Sequence, residues 1–432
     1  MRSLLKLNNV NQWDGTIIKD REEKIREAAL ILAGQCVAIL LDNLSKSTEA
    51  SRTAINQTQG WWRTKTKKNG FKPREILTVG NVIVKLRLPY VVERKTNKKY
   101  KKKPKGQGFF AFLRWLGMES GLTPYLWSTI AKYGTITTSF ETARQSLIDW
   151  GVKISLKRIQ RLTYKFGVEG LSIRQSKIRA VERDLFPTSS SLKHKRVIIS
   201  VDGGRTRVRI YEPKKPNPKT KRKKYKGEWI EPKLLTIYTV DEKGKKIKNG
   251  EFPLVNDGTY GNYKEFLKIL EMYLVSLGIK AAQQILLLAD GAEWIWQHIP
   301  NLLNRLGCED LTYYLIDFYH ATEHLQKFAT AAFNDEKEKI AWFKAARSDL
   351  KRGQVDQLIE QMKQVRKASR GSRRKIMTSQ IYYFNKPLAT GLFNYDKIAQ
   401  LNLPIGSGAV ESLIRQAVNL RLKGNGKFWE RV

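Results

Sequence analysis

Three acidic residues stand where carboxylates could do chemistry. Asp202 closes the strand-like run that begins at Arg196, and Asp290 closes the wholly apolar run Gln284–Ala289. Glu411 falls in the first turns of a helical pattern that follows Pro404-Ile-Gly-Ser-Gly, with Ser407 as a suitable cap. In an open α/β sheet the carboxyl ends of parallel strands face one crevice, so carboxylates remote in sequence can meet there. Such a trio repels itself unless cations neutralise it, and hard oxygen ligands at that density suit Mg²⁺ or Mn²⁺. Two ions about 3.5–4 Å apart would clamp the attacking and leaving oxygens of an in-line phosphoryl displacement. A plainer reading stands beside this one. Asp202-Gly203-Gly204 and Asp290-Gly291 are ordinary turn dipeptides, and Glu411 can simply complement a helix dipole.

The elements that must position these residues are legible in the hydrophobic period. Strand patterns run over 196–202, 207–211 and 234–240, then over 284–289 and 312–316, with helical patterns at 263–277 and 293–306 between them. Strands alternating with helices imply an α/β sheet with a parallel portion. Residues 323–399 lose the strand signal and read as a helical insertion or cap, and 400–432 are expected to rejoin the domain that opens with 192–322. Phe186-Pro187 and the serines 189–191 mark a linker ahead of it. Upstream, residues 1–121 hold a helix at 20–44 and a small β region, in which Val82, Val84, Leu86 and Leu88 alternate with Ile83, Lys85 and Arg87. The apolar stretch 28–41 is interrupted by Gln35 and follows charged residues, so it is expected as a buried helix and not as a membrane span or signal peptide.

Charge selects the partner. The 432 residues carry 80 Lys plus Arg against 40 Asp plus Glu, a formal net charge of +40, and 41% of them are hydrophobic. That composition supports folded domains and excludes a wholly disordered chain. A polycation of this size points to nucleic acid. A membrane surface is the weaker fit, because the basic residues are spread over many segments. Residues 122–186 contain three helical segments, at 124–133, 139–150 and 155–166, in the pattern of a helix-turn-helix. The third turns Leu156, Ile159, Leu162 and Phe166 inward and carries Lys157, Arg158, Arg161 and Lys165 as a cationic stripe suited to a major groove. Periodicity alone equally permits a plain bundle with a solvated basic edge, and the overall charge favours DNA. The basic stretches 93–105 and 214–226 read as solvated hairpin tips or phosphate-contacting arms. Cys36 and Cys308 are the only cysteines, which supplies no disulfide framework or zinc ribbon and fits a reducing cytosol.

Four ordered blocks carry a family resemblance. They are Asp202-Gly-Gly, Ala289-Asp-Gly-Ala-Glu-Trp-Ile-Trp, Asp317-Phe-Tyr-His-Ala-Thr-Glu-His-Leu, and Pro404-Ile-Gly-Ser-Gly-Ala-Val-Glu-Ser with the Arg421-Leu-Lys-Gly-Asn-Gly-Lys-Phe-Trp429 run after it. Residues 192–432 thereby resemble the bacterial insertion-sequence transposases of the ISKra type, which are DDE transposases. The resemblance implies an RNase H-like mixed sheet in which Asp202 bridges two Mg²⁺ (or Mn²⁺) ions while Asp290 and Glu411 each help hold one. It implies metal-dependent nicking of double-stranded DNA at the element's ends and strand transfer to target DNA, by a homodimer or larger assembly in the bacterial cytoplasm at the nucleoid. Asp317 and His320 resemble an Asp-x-x-His element and are expected to have a positioning role near the site. His320 and His324 share a helical face, but hydrogen bonding or DNA contact is expected of them before zinc, and Trp294 and Trp296 are expected to pack. Family members continue past the block that ends at Trp429, whereas this chain stops three residues later. The alternative is therefore a catalytically silent, transposase-derived DNA-binding protein.

Overall fold

A computed structural model describes residues 11, 13–58, 66–93, 108–213, 216, 220, 223–247, 254–388, 390–423 and 429–430. The basic stretch 93–105 lies outside the described residues except for Glu93, as does most of 214–226. The chain divides into two compact units, Met1–Ser172 and Ile173–Val432.

In the first unit, helix α1 (Gly15–Lys46) starts at Asp14, whose carboxylate accepts from the N–H groups of Thr16 and Ile17 at 2.9 Å. Ser47 ends it and caps α2 (Thr48–Gln57). Strands β1 (Thr66–Leu77) and β2 (Ile83–Glu93) form an antiparallel pair to which the short β3 (Gly108–Phe109) is added, followed by α3 (Ala111–Trp115). The expected alternation holds, since Val84, Leu86 and Leu88 are buried and Ile83, Lys85 and Arg87 are exposed. Gly80 is no strand residue. It sits at φ 67° in the turn between β1 and β2, where a Cβ would come within 2.5 Å of the Leu30 backbone.

The burial expected of residues 28–41 is corrected. Only one side of α1 packs, through Gly34 and Leu41, while Leu32, Ile39 and Leu40 are exposed. This helix is long and apolar enough to cross a membrane by length and composition. Gly34 nonetheless lies so close to the Val79 carbonyl, the Thr78 hydroxyl and the Val82 side chain that no Cβ fits between them, which is the packing of a docked helix.

Helices α4 (Pro124–Ile136), α5 (Phe140–Ile148) and α6 (Leu156–Val181) follow, with the Ser139 hydroxyl accepting from Thr142 N–H at 3.1 Å as the cap of α5. The third helix runs fifteen residues beyond the expected end at 166, and the division between the two units falls inside it. Ile159 and Leu162 are buried as expected, whereas Leu156 and Phe166 are exposed.

The second unit is mixed α/β. Its main sheet contains β4 (Arg196–Gly203), β7 (Lys233–Val240), β8 (Val255–Thr259), β9 (Gln284–Ala289) and β10 (Thr312–Ile316), in the spatial order β10-β9-β4-β7-β8. β4 is parallel to β9, which is parallel to β10, and β7 is antiparallel to both its neighbours. A smaller sheet is made of β5 (Thr206–Tyr211), β6 (Tyr225–Ile230) and β11 (Trp429–Glu430). Alternate residues of the main sheet bury opposite ways. Val197, Ile199, Leu235 and Leu287 pack with α7 (Tyr263–Leu277) and α8 (Glu293–Arg305). Ile198, Leu286, Leu288 and Leu315 join the core of α9 (Phe318–Ala332), α10 (Glu336–Lys351), α11 (Val355–Lys367), α12 (Gly371–Leu388) and α13 (Tyr395–Gln400). With both faces covered, the central strands β4, β7 and β9 are buried along almost their whole length, Ser200, Thr236 and Thr239 included. The last helix begins as α14 (Gly408–Leu413), widens through a π-helical stretch (Ile414–Asn419) and ends as α15 (Leu420–Leu422). The segment expected as a linker is tied to the end of α7, where Ser189 and Leu192 donate to the carbonyls of Ser276 and Leu277 at 3.0 and 3.1 Å.

Candidate active site

The register of the parallel strands brings two of the three acids together. Val201 of β4 pairs with Ala289 of β9, so the next residue on each strand, Asp202 and Asp290, emerges beside the other at the carboxyl edge of the sheet. The Asp202 carboxylate accepts from Gly203 N–H at 2.6 Å, and that of Asp290 accepts from Ala292 N–H at 3.0 Å. Trp296 is held as packing, with its indole N–H donating to the Asp290 carbonyl at 2.8 Å, and Trp294 lies edge-on to Phe266. Gly291 has no room for a side chain, because the Tyr383 ring would be 2.7 Å from a Cβ.

Glu411 reaches the same place from the first turn of α14, where Ser407 donates its hydroxyl to the Glu411 carboxylate at 3.3 Å. Asp202, Asp290 and Glu411 line one open cavity of about 730 Å³, together with His320, Glu231 and Glu323. Their electrostatics are those of a crowded anionic cluster. Burial, followed by the negative charge of Asp290, pushes the Asp202 carboxyl up to about 6, with Glu411 adding to the shift and the Gly203 hydrogen bond and His320 opposing it. Burial likewise raises Asp290, against its Ala292 hydrogen bond and His320.

Asp317 organises this edge from beneath. It is fully buried, and one carboxylate oxygen accepts from His320 N–H at 2.8 Å while the other accepts from Ser407 N–H. Its own N–H donates to the Ala289 carbonyl at 2.8 Å. One side chain thus ties the start of α9, which carries His320, to the loop that launches Glu411. Gly406 in that loop is required by contact, since a Cβ would lie 2.5 Å from the Tyr319 ring. His324 points elsewhere. It stacks on Tyr383 at 3.6 Å and its Nδ1 is 2.6 Å from the Gln380 amide oxygen, and burial lowers its pKa.

The donor types suit a divalent cation. They are all oxygen, two of them lie at the ends of adjacent strands, and Asp202 and Asp290 are raised above the usual carboxylate range first by burial and then by neighbouring carboxylates. Among the described residues no group of three or more His, Cys, Asp or Glu side chains is placed to hold a metal ion. Glu231, Glu323 and Arg205 of the same cavity escaped the sequence reading. Glu323 had a usable signal in its position three residues after His320 on a helix, whereas Glu231 precedes β7 with no pattern around it.

The four cationic residues expected on the DNA-facing stripe of α6, Lys157, Arg158, Arg161 and Lys165, lie in the first unit and differ among themselves. Lys157 and Arg161 are exposed, and Arg158 is half-buried with its Nε lacking a hydrogen-bond partner. Lys165 is engaged, donating to the Ser120 hydroxyl at 3.0 Å, pairing with Glu169 at 3.6 Å and lying 5.5 Å from the Trp127 ring centroid. No protein-family model matches the chain, and no curated protein matches it either.

Proposed function

We propose that this chain is a metal-dependent DNA transposase of the DDE type, similar to the ISKra insertion-sequence group, with an RNase H-like catalytic domain in the second unit and DNA contacts from α6 of the first. One observation carries the reading: Asp202 and Asp290 end adjacent parallel strands and share a cavity with Glu411. A mixed sheet with a helical insertion between β10 and α14, and a net charge of +40, support it.

Asp202, Asp290 and Glu411 would hold two Mg²⁺ or Mn²⁺ ions. Bound there, the ions would supply a water nucleophile at neutral pH and charge neutralisation at the scissile phosphate. The chain's own residues do the rest. Asp317 ties His320 to the loop before the Glu411 helix, and one backbone N–H fixes one oxygen of each of Asp202 and Asp290, both of which line the cavity. The substrate is double-stranded DNA, as element ends and then as target, and two ends require a homodimer or larger assembly. A cytoplasmic, nucleoid-associated location follows from the same reading.

The test is nicking of a supercoiled plasmid carrying the element's ends, with Mg²⁺. Cleavage is expected from the full chain and not from Asp202→Asn or Glu411→Gln. Cleavage unchanged in those variants removes the assignment. Salt-sensitive DNA binding without any cleavage by the unaltered chain selects the alternative, a silent DNA-binding descendant.

A further inference from the structure

The β5–β6 hairpin has one face that the proposed chemistry does not use. Its antiparallel register sets Arg207 opposite Trp229, Arg209 opposite Gly227 and Tyr211 opposite Tyr225, so all six lie on the same side. The other side is anchored at the base of the hairpin, with Thr206 and Val208 1% and 3% exposed, while Ile210 further out is 38% exposed. On the open side Trp229 is 58% exposed and Tyr225 45%. The two arginines lie flat along it. Arg207 crosses Gly227, with its Nε 2.6 Å from where a Cβ would be, and the Arg209 guanidinium is 4.0 Å from the Tyr225 ring centroid. Tyr211 meets Tyr225 edge-on at 5.9 Å. Planar cations and aromatic rings therefore alternate over one surface, with Lys224 and Lys226 on the same hairpin.

This surface begins at the rim of the acidic cavity. Arg205 and Glu231, which flank the first rung of the hairpin, line that cavity and pair with each other at 3.0 Å. Trp, Tyr and Arg also anchor protein interfaces, but each ring here neighbours a guanidinium on a chain of net charge +40, which favours a polyanion with flat faces over an apolar partner surface. Phosphates satisfy the cations, and bases have flat faces that stack on the rings. Bases inside a duplex hide those faces, so the fitting ligand has unpaired nucleotides.

We propose that this face of the β5–β6 hairpin binds single-stranded nucleotides that flank the scissile phosphate, with an unpaired base stacked on Trp229 and the neighbouring phosphates met by Arg207 and Arg209. The inference rests on the DNA-transposase reading and adds the state of the substrate that the site accepts, a duplex whose end is unpaired.

The test uses the full chain in EDTA, so that cleavage plays no part, and fluorescence anisotropy with two labelled DNAs of equal duplex length, one blunt and one with a short 3′ single-stranded tail. The intact chain is expected to prefer the tailed DNA. Trp229→Ala should weaken tailed binding about tenfold and leave blunt binding within about twofold, the range expected for loss of one base–aromatic stack. Trp229→Phe should recover most of the loss. A 2-aminopurine in the tail should be quenched by the intact chain and not by Trp229→Ala. The ratio of tailed to blunt affinity is measured on each variant, so a general folding defect, which lowers both, does not mimic the result. Equal loss on both DNAs, or an unchanged ratio, overturns the stacking platform and leaves the transposase reading in place. Failure of the intact chain to bind either DNA overturns both.

Discussion

Removing the charge of Asp202 should stabilise the metal-free protein. Asp202 is 8% exposed, and burial with the nearby charge of Asp290 holds its carboxyl at about 6 in the folded chain. An unfolded aspartate titrates near 3.9. A folded pKa above the unfolded one contributes stability that is present at pH below the unfolded value and lost as pH rises through the folded value. A difference of about two pKa units corresponds to roughly 3 kcal/mol lost by pH 7.5, with about half of it already lost at pH 5. Asparagine keeps an oxygen to accept from Gly203 N–H and carries no charge. In EDTA, Asp202→Asn should therefore unfold at higher urea than the unaltered chain by the equivalent of roughly 2–3 kcal/mol at pH 7.5, and the gap should narrow steadily toward pH 4. Pulse proteolysis, with fragment masses to identify the second unit, gives the midpoint separately from the first unit. Mg²⁺ should raise the midpoint of the unaltered chain and leave Asp202→Asn nearly unmoved. A variant no more stable than the original at pH 7.5, or a gap independent of pH, refutes the picture of an unneutralised buried carboxylate, and with it the electrostatic reason for placing a cation there.

Three further outcomes follow from individual side chains. Asp317→Asn keeps one acceptor but presents an amide N–H to the second of two backbone donors, so the second unit should lose roughly 2–4 kcal/mol in the same urea experiment, and an unchanged midpoint would deny the Asp317 clamp. Gly34→Ala forces a methyl against the Val79 carbonyl, which should cost the first unit on the order of 2–3 kcal/mol and leave the second untouched, as separate midpoints would reveal. Replacing Lys157 and Arg161 together by alanine should flatten the slope of log affinity against log salt by about 0.9 for each phosphate that is no longer neutralised, and a slope that does not move would remove this part of α6 from the DNA interface.

Legibility in the sequence tracked how local the cause was. Strand β9 and helix α7 were readable to the residue, because a wholly apolar run bounded by turn residues and an amphipathic run capped by Asn262 carry their own signals. Strand β8 left none. Val255–Thr259 is polar and Gly-containing, and it is a strand because β7 offers it an edge. The stretch 28–41 misled for the opposite reason. Its composition reports apolarity without saying which side is covered, and the covering of one side alone depends on a turn remote in sequence, in which Gly80 and Val79 approach the helix.

The candidate site repeats that division and explains it. Asp202 and Asp290 are visible because a carboxylate at the end of an apolar strand is a local pattern, and parallel pairing of β4 with β9 needs only the sheet to bring them side by side. Their neighbour Asp317 also ends a strand, yet its role is the reverse. Its carboxylate is spent on two backbone donors far apart in sequence, His320 and Ser407, and is fully buried. An acid whose oxygens both accept from N–H groups has little left to offer an ion, whereas Asp202 and Asp290 each accept one such bond, and burial raises the pKa of both against it. The number of backbone hydrogen bonds each carboxylate receives thus separates Asp317, which joins two distant backbone segments, from Asp202 and Asp290, which receive one each, and that number comes from tertiary structure, which is why three strand-end aspartates that look alike in sequence are not alike in the fold.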